Sequence, residues 1–359
     1  MNSFGYYTNY VSTYKHNTCE VRMNIYDIAQ LAGVSIATVS RVVNDSDKVS
    51  EKTKEKVRRV MEEAGYTQNA FAQGLGLNTM HTVGILVPNI SDIYMSAAVS
   101  YLQEILHENG YKCLLSCSGF ALEQKQAHVS MLLNKRIEAL FLIGSTYAGS
   151  GEDDQYTDFI REASASVPVF LVNGIVEGDN IYCAVCDDEA VSFSVTEKLL
   201  KDGRRRILFL TNSSSFSARQ KEAGYLRALK QAGVHADPNL IQKLPSGRIH
   251  AVRDSLLHAD DLSFDACLAT DDEIAVGVVK YAGERGIPIP EKLAVVGYNN
   301  SAFAVASTPE LTSVDARLEE LCRNTASSLL ALLRGKTVRR VTLSHAKLVE
   351  RGTTTTLPV

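Results

Sequence analysis

The sequence lacks the long apolar segments that mark membrane and exported proteins. Its longest apolar runs, such as residues 139–144 and 167–172, are only as long as a β-strand, whereas a membrane helix needs about 20 apolar residues. Residues 1–22 are polar and rich in tyrosine, and they lack the apolar stretch of about 7 to 15 residues that a secretory signal requires. We therefore expect a cytoplasmic protein that has no membrane partner.

An excess of charge and a regular cysteine framework are also missing. The formal net charge is -4 over 359 residues, so the chain as a whole carries no basic surplus that would indicate a nucleic-acid partner. Seven cysteines are scattered along the chain without the spacing of a disulfide framework. Cys183 and Cys186 form a lone CxxC, but this segment reads as a strand, in which residues three apart point to opposite faces. The pattern favours buried thiols over a metal or redox site.

The sequence contains no complete motif of the common enzyme and cofactor sites. The segment GLGLNT at residues 74–79 contains only half of a GxGxxG motif and does not follow a strand. The segment GKT at residues 335–337 lacks the upstream glycine of a P-loop, because Leu330 stands at that position. Neither HExxH nor GxSxG is present. We therefore expect no catalytic residue, no cofactor and no metal.

What is present is the composition of a globular protein with a small helical module at its start. Hydrophobic residues make up 45% and charged residues 22% of the chain. Apolar residues at helical spacing predict three short helices within residues 25–64. We expect Gly33 to interrupt the first helix, Ser35 and Ser50 to cap the next two, and Gly65 to end the third.

The first two of these helices are interpreted as a helix-turn-helix. Ala29 is small enough for a close helix crossing, and Gly33 permits the positive φ of the turn. The outer face of the second helix is polar and free to meet DNA, and its residues are Thr38, Ser40 and Arg41. A plain helical hairpin is the alternative. Charge does not separate the two, because residues 23–68 hold seven basic and seven acidic side chains. The nearby cations either meet phosphates or are solvated; they are Arg41, Lys48, Lys52 and Lys54.

Beyond residue 80 the sequence alternates strand-like runs with amphipathic helices. This alternation predicts an α/β core of doubly wound parallel sheets covered by helices on both faces. Roughly ten strands are too many for one sheet, and a polar break at residues 186–188 suggests two lobes. Ligands of such folds bind where the strand ends of both lobes face a common cleft.

Several segments resemble the LacI/GalR family of transcriptional regulators. The segment that resembles the family's headpiece is IYDIAQLAGVSIATVSRVVN. The segment that resembles the family's third helix and hinge is VSEKTKEKVRRVMEEAGYTQNAFAQGL. In the core the similar segments are SARQKEAGY, ATDDEIAVG, VVGYNNS and PELTSV. Together they span residues 23 to 352. The resemblance implies a helix-turn-helix domain followed by a two-lobed, periplasmic-binding-protein-like core.

The resemblance also implies which residues meet DNA. Ile36 and Ala37, which open the second helix, match base-reading positions, and Arg41 lies one turn on. Phosphate or backbone contacts are implied for Thr38, Ser40, Asn44 and Tyr26. In the hinge, Leu75 matches a leucine that the family wedges into the minor groove, with Asn69 and Ala72 as neighbouring contacts. Glycines at 74 and 76 depart from the family pattern, so we expect the hinge helix to be disordered without DNA.

Five core residues match the family's effector contacts: Tyr94, Tyr147, Lys221, Asp271 and Asn299. Two of them depart from the family pattern. Lys221 replaces the usual arginine, which turns a two-pronged clamp into a point charge. Asn299 stands where many members carry aspartate. Each residue has a surface or structural role as its alternative, and the identity of the effector stays open among sugars, sugar acids and sugar phosphates.

These observations lead to one domain organisation and one function. We expect a disordered extension or a misassigned start at 1–22, a headpiece at 23–68, a hinge at 69–80, lobes at 81–187 and 188–316, and a segment at 317–359 that completes both lobes. The expected function is a repressor that binds a pseudo-palindromic operator as a homodimer, or as a tetramer, under the control of a small metabolite. A periplasmic-type solute-binding protein is the rival interpretation, and an enzyme on the same scaffold is a third.

Overall fold

The computed structural model describes residues 23–43, 45–66, 80–149, 154–259 and 262–355. Residues 1–22 lie outside the described residues, as does nearly all of the predicted hinge. The same holds for four predicted DNA contacts, which are Asn44, Asn69, Ala72 and Leu75. The chain divides into two compact units, Met1–Asn78 and Thr79–Val359.

The described part of the first unit contains three α-helices, as the sequence predicts. They are α1 (Ile25–Ala32), α2 (Ile36–Val43) and α3 (Glu51–Glu63). All three contribute to one apolar cluster, whose buried members are Ile28, Ala29, Ala32, Val39, Val42 and Val57. Because each helix buries only one stripe of side chains, its opposite face remains in solvent.

The ends of these helices follow from specific hydrogen bonds. Asn24 caps α1 by accepting hydrogen bonds from the backbone N–H groups of Tyr26 and Asp27, and Asp27 reciprocates at the Asn24 N–H. Ser35 caps α2 as predicted, since its Oγ accepts from the Thr38 N–H at 3.1 Å. Ser50 is the N-cap residue of α3, as predicted, but its hydroxyl bonds the Thr53 hydroxyl instead of a backbone N–H.

The second unit alternates strands and helices along its length. Its strands are β1 (Thr82–Val87), β2 (Lys112–Cys117), β3 (Ala139–Ile143), β4 (Val169–Val172), β5 (Ile181–Cys186), β6 (Ile207–Thr211), β7 (Ile241–Lys243), β8 (Ala266–Ala269), β9 (Ala294–Tyr298), β10 (Thr312–Asp315), β11 (Val341–Ser344) and β12 (Lys347–Val349). Its α-helices are α4 (Ile93–Glu108), α5 (Leu122–Leu133), α6 (Asp158–Ser164), α7 (Asp188–Lys201), α8 (Phe216–Gln231), α9 (Ile249–Leu257), α10 (Asp272–Arg285), α11 (Ala302–Ala306) and α12 (Leu318–Leu333).

These strands form two six-stranded sheets. The first has the order β11-β5-β4-β3-β1-β2 and is parallel throughout. The second has the order β12-β10-β9-β8-β6-β7 and is parallel except for its β12 edge. We call the first sheet with α4, α5, α6 and α12 the first lobe, and the second sheet with α7 to α11 the second lobe.

Both faces of each sheet are covered by helices. In the first lobe, α4 and α12 pack on one face, and α5 and α6 on the other. In the second lobe, α9 and α10 cover one face, and α7 and α8 the other. Burial on both faces explains why the central strands are continuous apolar runs, such as ALFLI at Ala139–Ile143.

The CxxC segment lies within β5 and behaves as the strand pattern predicts. Cys183 and Cys186 are both buried, and they belong to different apolar clusters. Burial raises the pKa of the Cys186 thiol to about 12. The two thiols therefore pack in separate apolar clusters and do not form a common site.

Several element boundaries differ from the sequence expectation by a few residues. The helix expected at residues 97–109 begins four residues earlier, because Asp92 accepts from the Met95 N–H at 2.9 Å and caps α4 there. The strand expected at 293–297 runs from Ala294 to Tyr298. The first difference arises from a local hydrogen bond that apolar periodicity does not register, and the second lies within the one or two residues by which element ends vary.

The crossing of α7 and α8 requires a glycine. A Cβ atom built at Gly224 would overlap the Glu189 carbonyl oxygen and press on the Phe193 backbone nitrogen. At Gly283, within α10, a Cβ atom would meet nothing within 4 Å. The helix crossing therefore requires a glycine at position 224, whereas position 283 has room for a side chain.

We expect Gly224→Ala to destabilise the protein by about 2 to 3 kcal/mol, because the two helices must separate. The matched variant Gly283→Ala should stabilise it by about 0.5 to 1 kcal/mol, since alanine favours the helix. Denaturant unfolding of both variants measures these differences. A Gly224→Ala variant as stable as the parent would contradict the close crossing.

Candidate functional site

The turn between α1 and α2 fixes the orientation of α2. Gly33 has a left-handed backbone conformation, with φ 61° and ψ 41°. The Val34 N–H donates to the Ala29 carbonyl at 3.0 Å, which closes the turn. Val39 and Val42 then face the apolar cluster. The opposite side of α2 is consequently turned to solvent.

The residues predicted to read DNA lie on this solvent side. Ile36 is 42% exposed, and Ala37 and Arg41 are exposed as well. Thr38 and Ser40 are half-buried beside them. Tyr26 on α1 is 66% exposed, which is unusual for a large aromatic side chain. The solvent side of α2 thus presents apolar and cationic side chains together.

Lys54 does not belong to the solvent-facing cations. Its side chain is buried, and its Nζ lies 3.0 Å from Glu51 and 3.4 Å from Asp45. The hydrogen bond to Glu51 raises the pKa of Lys54. Neither of the two roles considered for this lysine, a phosphate contact or a solvated charge, fits that position. Arg41, Lys48 and Lys52 remain exposed.

The second unit contains a cleft of about 1100 Å³ between the two lobes. Its walls are formed where parallel strands of both sheets end at their carboxyl sides, which is where ligands of open α/β sheets bind. Polar residues that follow these strands line it: Asn89, Ser145, Asn173, Asn212, Asp271 and Asn299. The cleft is therefore rich in hydrogen-bonding groups.

Four of the residues predicted to contact an effector line this cleft. Tyr94 comes from the first lobe, and Lys221, Asp271 and Asn299 come from the second. Asn299 adopts a positive φ of 90°, a conformation that asparagine tolerates better than most residues. Its N–H donates to the Val314 carbonyl at 2.8 Å, which holds the residue at the end of β9.

Lys221 lies on the floor of the cleft and is 7% exposed. Its Nζ donates to the Thr270 carbonyl at 3.0 Å and lies 3.5 Å from the centroid of the Tyr298 ring. The Tyr298 hydroxyl in turn donates to buried Asp188. An ammonium group has three N–H donors. One of them bonds the Thr270 carbonyl and the Tyr298 ring occupies another side of the group, which leaves one donor for a molecule in the cleft.

Asp271 caps a helix and also lines the cleft. Its Oδ1 caps α10 by accepting from the Ile274 N–H at 2.8 Å. Burial raises the pKa of this carboxyl to about 7, although the Ile274 hydrogen bond and the charge of Lys221 act in the opposite direction. The side chain therefore changes its charge near neutral pH.

Tyr147 is not among the cleft-lining residues. Its side chain is fully buried in the first lobe, and its hydroxyl is hydrogen-bonded to Ser118 at 3.1 Å. The ring lies 4.9 Å from Lys125 Nζ. The predicted effector contact would require this side chain to leave the apolar cluster of the first lobe in which it is buried.

Asn173 and Asn212 are cleft residues that the sequence interpretation missed. Each directly follows a strand, β4 or β6 respectively. Asn173 also has a positive φ of 71°, and its N–H donates to the Ala184 carbonyl. Their position after a strand was a usable signal, because polar residues there face the cleft in parallel sheets.

The two lobes also touch directly at the edge of the cleft. The Ser145 hydroxyl of the first lobe donates to the Ser215 hydroxyl of the second at 2.8 Å. Arg219 donates to the Gly149 carbonyl at 3.2 Å. These contacts join the lobes through the chain that follows β3.

Among the described residues, His, Cys, Asp and Glu form no group of three that could hold a metal ion. None of the helices in the described ranges is long and apolar enough to cross a membrane.

Comparisons with known proteins cover both units. The profile of "Bacterial regulatory proteins, lacI family" matches residues 24–69, and that of a "Periplasmic binding protein-like domain" matches residues 196–354. An "HTH-type transcriptional regulator" of Lachnoclostridium phytofermentans is 42% identical over 335 residues, which is 92% of this chain and 99% of the relative.

Two solved structures show the same architecture over most of the chain. The lac repressor dimer bound to operator and the anti-inducer ONPF has a TM-score of 0.81 at 26% identity, covering 93% of this chain and 99% of that one. The transcriptional regulator CelR in complex with cellobiose has a TM-score of 0.66 at 26% identity, covering 92% and 100%.

The raised pKa of Asp271 predicts a pH-dependent stability. The folded protein holds this proton more tightly than the unfolded chain, so Asp271 lowers stability as pH rises through about 7. Asp271→Asn keeps the cap of α10 but removes the charge. Its melting temperature should exceed that of the parent at pH 8.5, and the excess should shrink at pH 5.5.

Asp179→Asn removes an exposed carboxylate that pairs with Arg340, and it supplies the control for the loss of a surface charge. The same excess for Asp271→Asn at pH 5.5 and 8.5 would show that burial does not raise this pKa.

Proposed function

The chain belongs to the LacI family of bacterial regulatory proteins, and we propose that it represses transcription by binding a pseudo-palindromic operator as a homodimer. A small metabolite held between the lobes controls this binding. The relatives found are transcriptional regulators, so we assign the cleft to binding rather than to catalysis. Such a regulator acts in the cytoplasm, where the chromosome lies.

One observation carries the DNA-binding half of the proposal: α2 turns Ile36, Ala37 and Arg41 away from the protein interior. A helix of this kind enters the major groove with its first residues at the base edges. Ile36 and Ala37 offer apolar surface to thymine methyl groups, and Arg41 offers hydrogen-bond donors. Thr38, Ser40 and Tyr26 are assigned to the DNA backbone.

The remaining assignments fall on residues outside the described ranges. We propose that Asn44 contacts a phosphate and that Leu75 enters the minor groove, with Asn69 and Ala72 beside it. Residues 69–80 then act as a hinge between a headpiece at 23–68 and lobes at 81–187 and 188–316. Residues 317–359 complete both lobes.

The effector half of the proposal is supported by the chemistry of the cleft. Amide, carboxylate and hydroxyl groups from both lobes converge there, with Lys221 on the floor. Such groups pair with the hydroxyl groups of a sugar or sugar derivative. Because ligand contacts come from both lobes, an occupied cleft favours a particular degree of closure. Allosteric coupling of this kind changes operator affinity by about 5-fold to 150-fold, which corresponds to about 1 to 3 kcal/mol.

Arg41→Ala tests the operator half. We expect it to reduce the discrimination between operator and random DNA about tenfold, because one base-reading side chain is lost. Arg59, which is exposed on α3, supplies the matched control, and Arg59→Ala should leave the discrimination unchanged. Gel-shift titrations use DNA from upstream of the chain's own gene at fixed salt. Equal discrimination by the Arg41→Ala variant and the parent would remove Arg41 from the reading surface.

A thermal-shift panel of sugars, sugar acids and sugar phosphates tests the effector half. A ligand present at about 100 times its Kd should add about 2.7 kcal/mol of stability. Lys221→Met should abolish the shift, whereas Lys230→Met at an exposed position of the same helix should preserve it. A ligand that stabilises the parent and the Lys221→Met variant equally would place its site elsewhere.

A further inference from the structure

Lys125 on α5 is fully buried in the first lobe, although lysine almost never loses all contact with water. Among the described residues it makes no ion pair, and burial alone lowers its pKa to about 8. Burying an ammonium group is unfavourable unless its N–H donors are hydrogen-bonded. We therefore expect hydrogen-bond acceptors close to the Lys125 Nζ.

Aromatic rings and two hydrogen bonds enclose this ammonium group. Its Nζ donates to the Thr146 carbonyl at 3.0 Å and to the Tyr156 hydroxyl at 2.7 Å. The same atom lies 4.9 Å from the ring centroid of Tyr147 and 5.0 Å from that of Tyr156. The Tyr147 distance falls within the range of cation–π attraction, whereas Tyr156 meets the ammonium group through its hydroxyl, at the edge of its ring.

The segment that accepts the Lys125 hydrogen bond also contacts the second lobe. We call residues 145–149 the bridging segment. At one end Ser145 donates to Ser215, and at the other the Gly149 carbonyl accepts from Arg219. Between these ends, the carbonyl of Thr146 and the ring of Tyr147 are held by Lys125. The bridging segment is therefore anchored in one lobe and bonded to the other at both ends.

We propose that Lys125 is a positioning residue that holds the bridging segment in place and thereby sets how closely the two lobes approach. The link to regulation rests on the proposed function, in which lobe closure couples effector to operator. The contact between the lobes itself does not depend on that function. The Tyr147 ring packs beside this ammonium group in the first lobe, which is consistent with its position outside the cleft.

The alternative is that Lys125 only stabilises the first lobe. Lys125→Met distinguishes the two roles, because methionine keeps an unbranched apolar chain but loses the charge and the donors. The Thr146 carbonyl then has no donor from this position, and the bridging segment is free to shift. A purely structural role would change the melting temperature without changing the contact between the lobes.

Disulfide trapping measures this contact directly. Ser145→Cys and Ser215→Cys are introduced together, since the hydroxyl oxygens they replace are 2.8 Å apart. The rate of disulfide formation under mild oxidation is followed in the full chain by peptide mass spectrometry, without DNA or sugar. We expect Lys125→Met to slow this rate at least fivefold. Lys135→Met, at an exposed position just beyond α5, should leave it unchanged.

A second variant guards against a folding defect. Tyr156→Phe removes one hydrogen-bond partner of Lys125 and keeps its ring, so the rate should fall about twofold. Parent rates in both the Lys125→Met and Tyr156→Phe variants would overturn the proposal. Because the assay contains no operator and no effector, a failure of operator binding would leave its outcome unaffected.

Discussion

The buried carboxylate of Asp188 organises the floor of the cleft. It is the first residue of α7, where the chain passes from the first sheet to the second. Hydroxyl groups of Ser217 and Tyr298 donate to its two oxygens, so the buried charge is compensated by hydrogen bonds. Tyr298 then offers its ring to Lys221. The position of Lys221 is thus linked to this carboxylate through Tyr298, although neither Asp188 nor Tyr298 lines the cleft.

Around that floor, parallel strands bring the remaining polar groups together. Because five neighbouring strand pairs in the first sheet and four in the second are parallel, residues that follow the strands gather at one edge of each sheet. Lobes that face each other across this edge form a cleft without any long loop. The bridging segment, held by Lys125, adds a direct contact between them.

Periodicity and turn residues were sufficient to predict the architecture. The left-handed turn at Gly33 and the alternation of apolar strands with helices follow from local chemistry, and the structure shows both. The placement of Tyr147 could not be read in the same way, because a position after a strand does not say whether a side chain enters the cleft. Its ring packs in an apolar cluster of the first lobe and lies beside Lys125, which is distant in sequence. Lys54 likewise pairs with Asp45 and Glu51. Counting charges in the sequence does not show which cations are paired within the protein.

Hydrogen exchange of the full chain on DNA tests the central claim most directly, namely that the outward face of α2 binds the operator. Backbone amides of residues 35–43 should exchange at least tenfold more slowly with operator duplex than with a scrambled duplex of equal length. The central strands of both lobes should exchange equally in the two samples. Equal exchange of residues 35–43 on both duplexes, despite tight operator binding, would contradict the account.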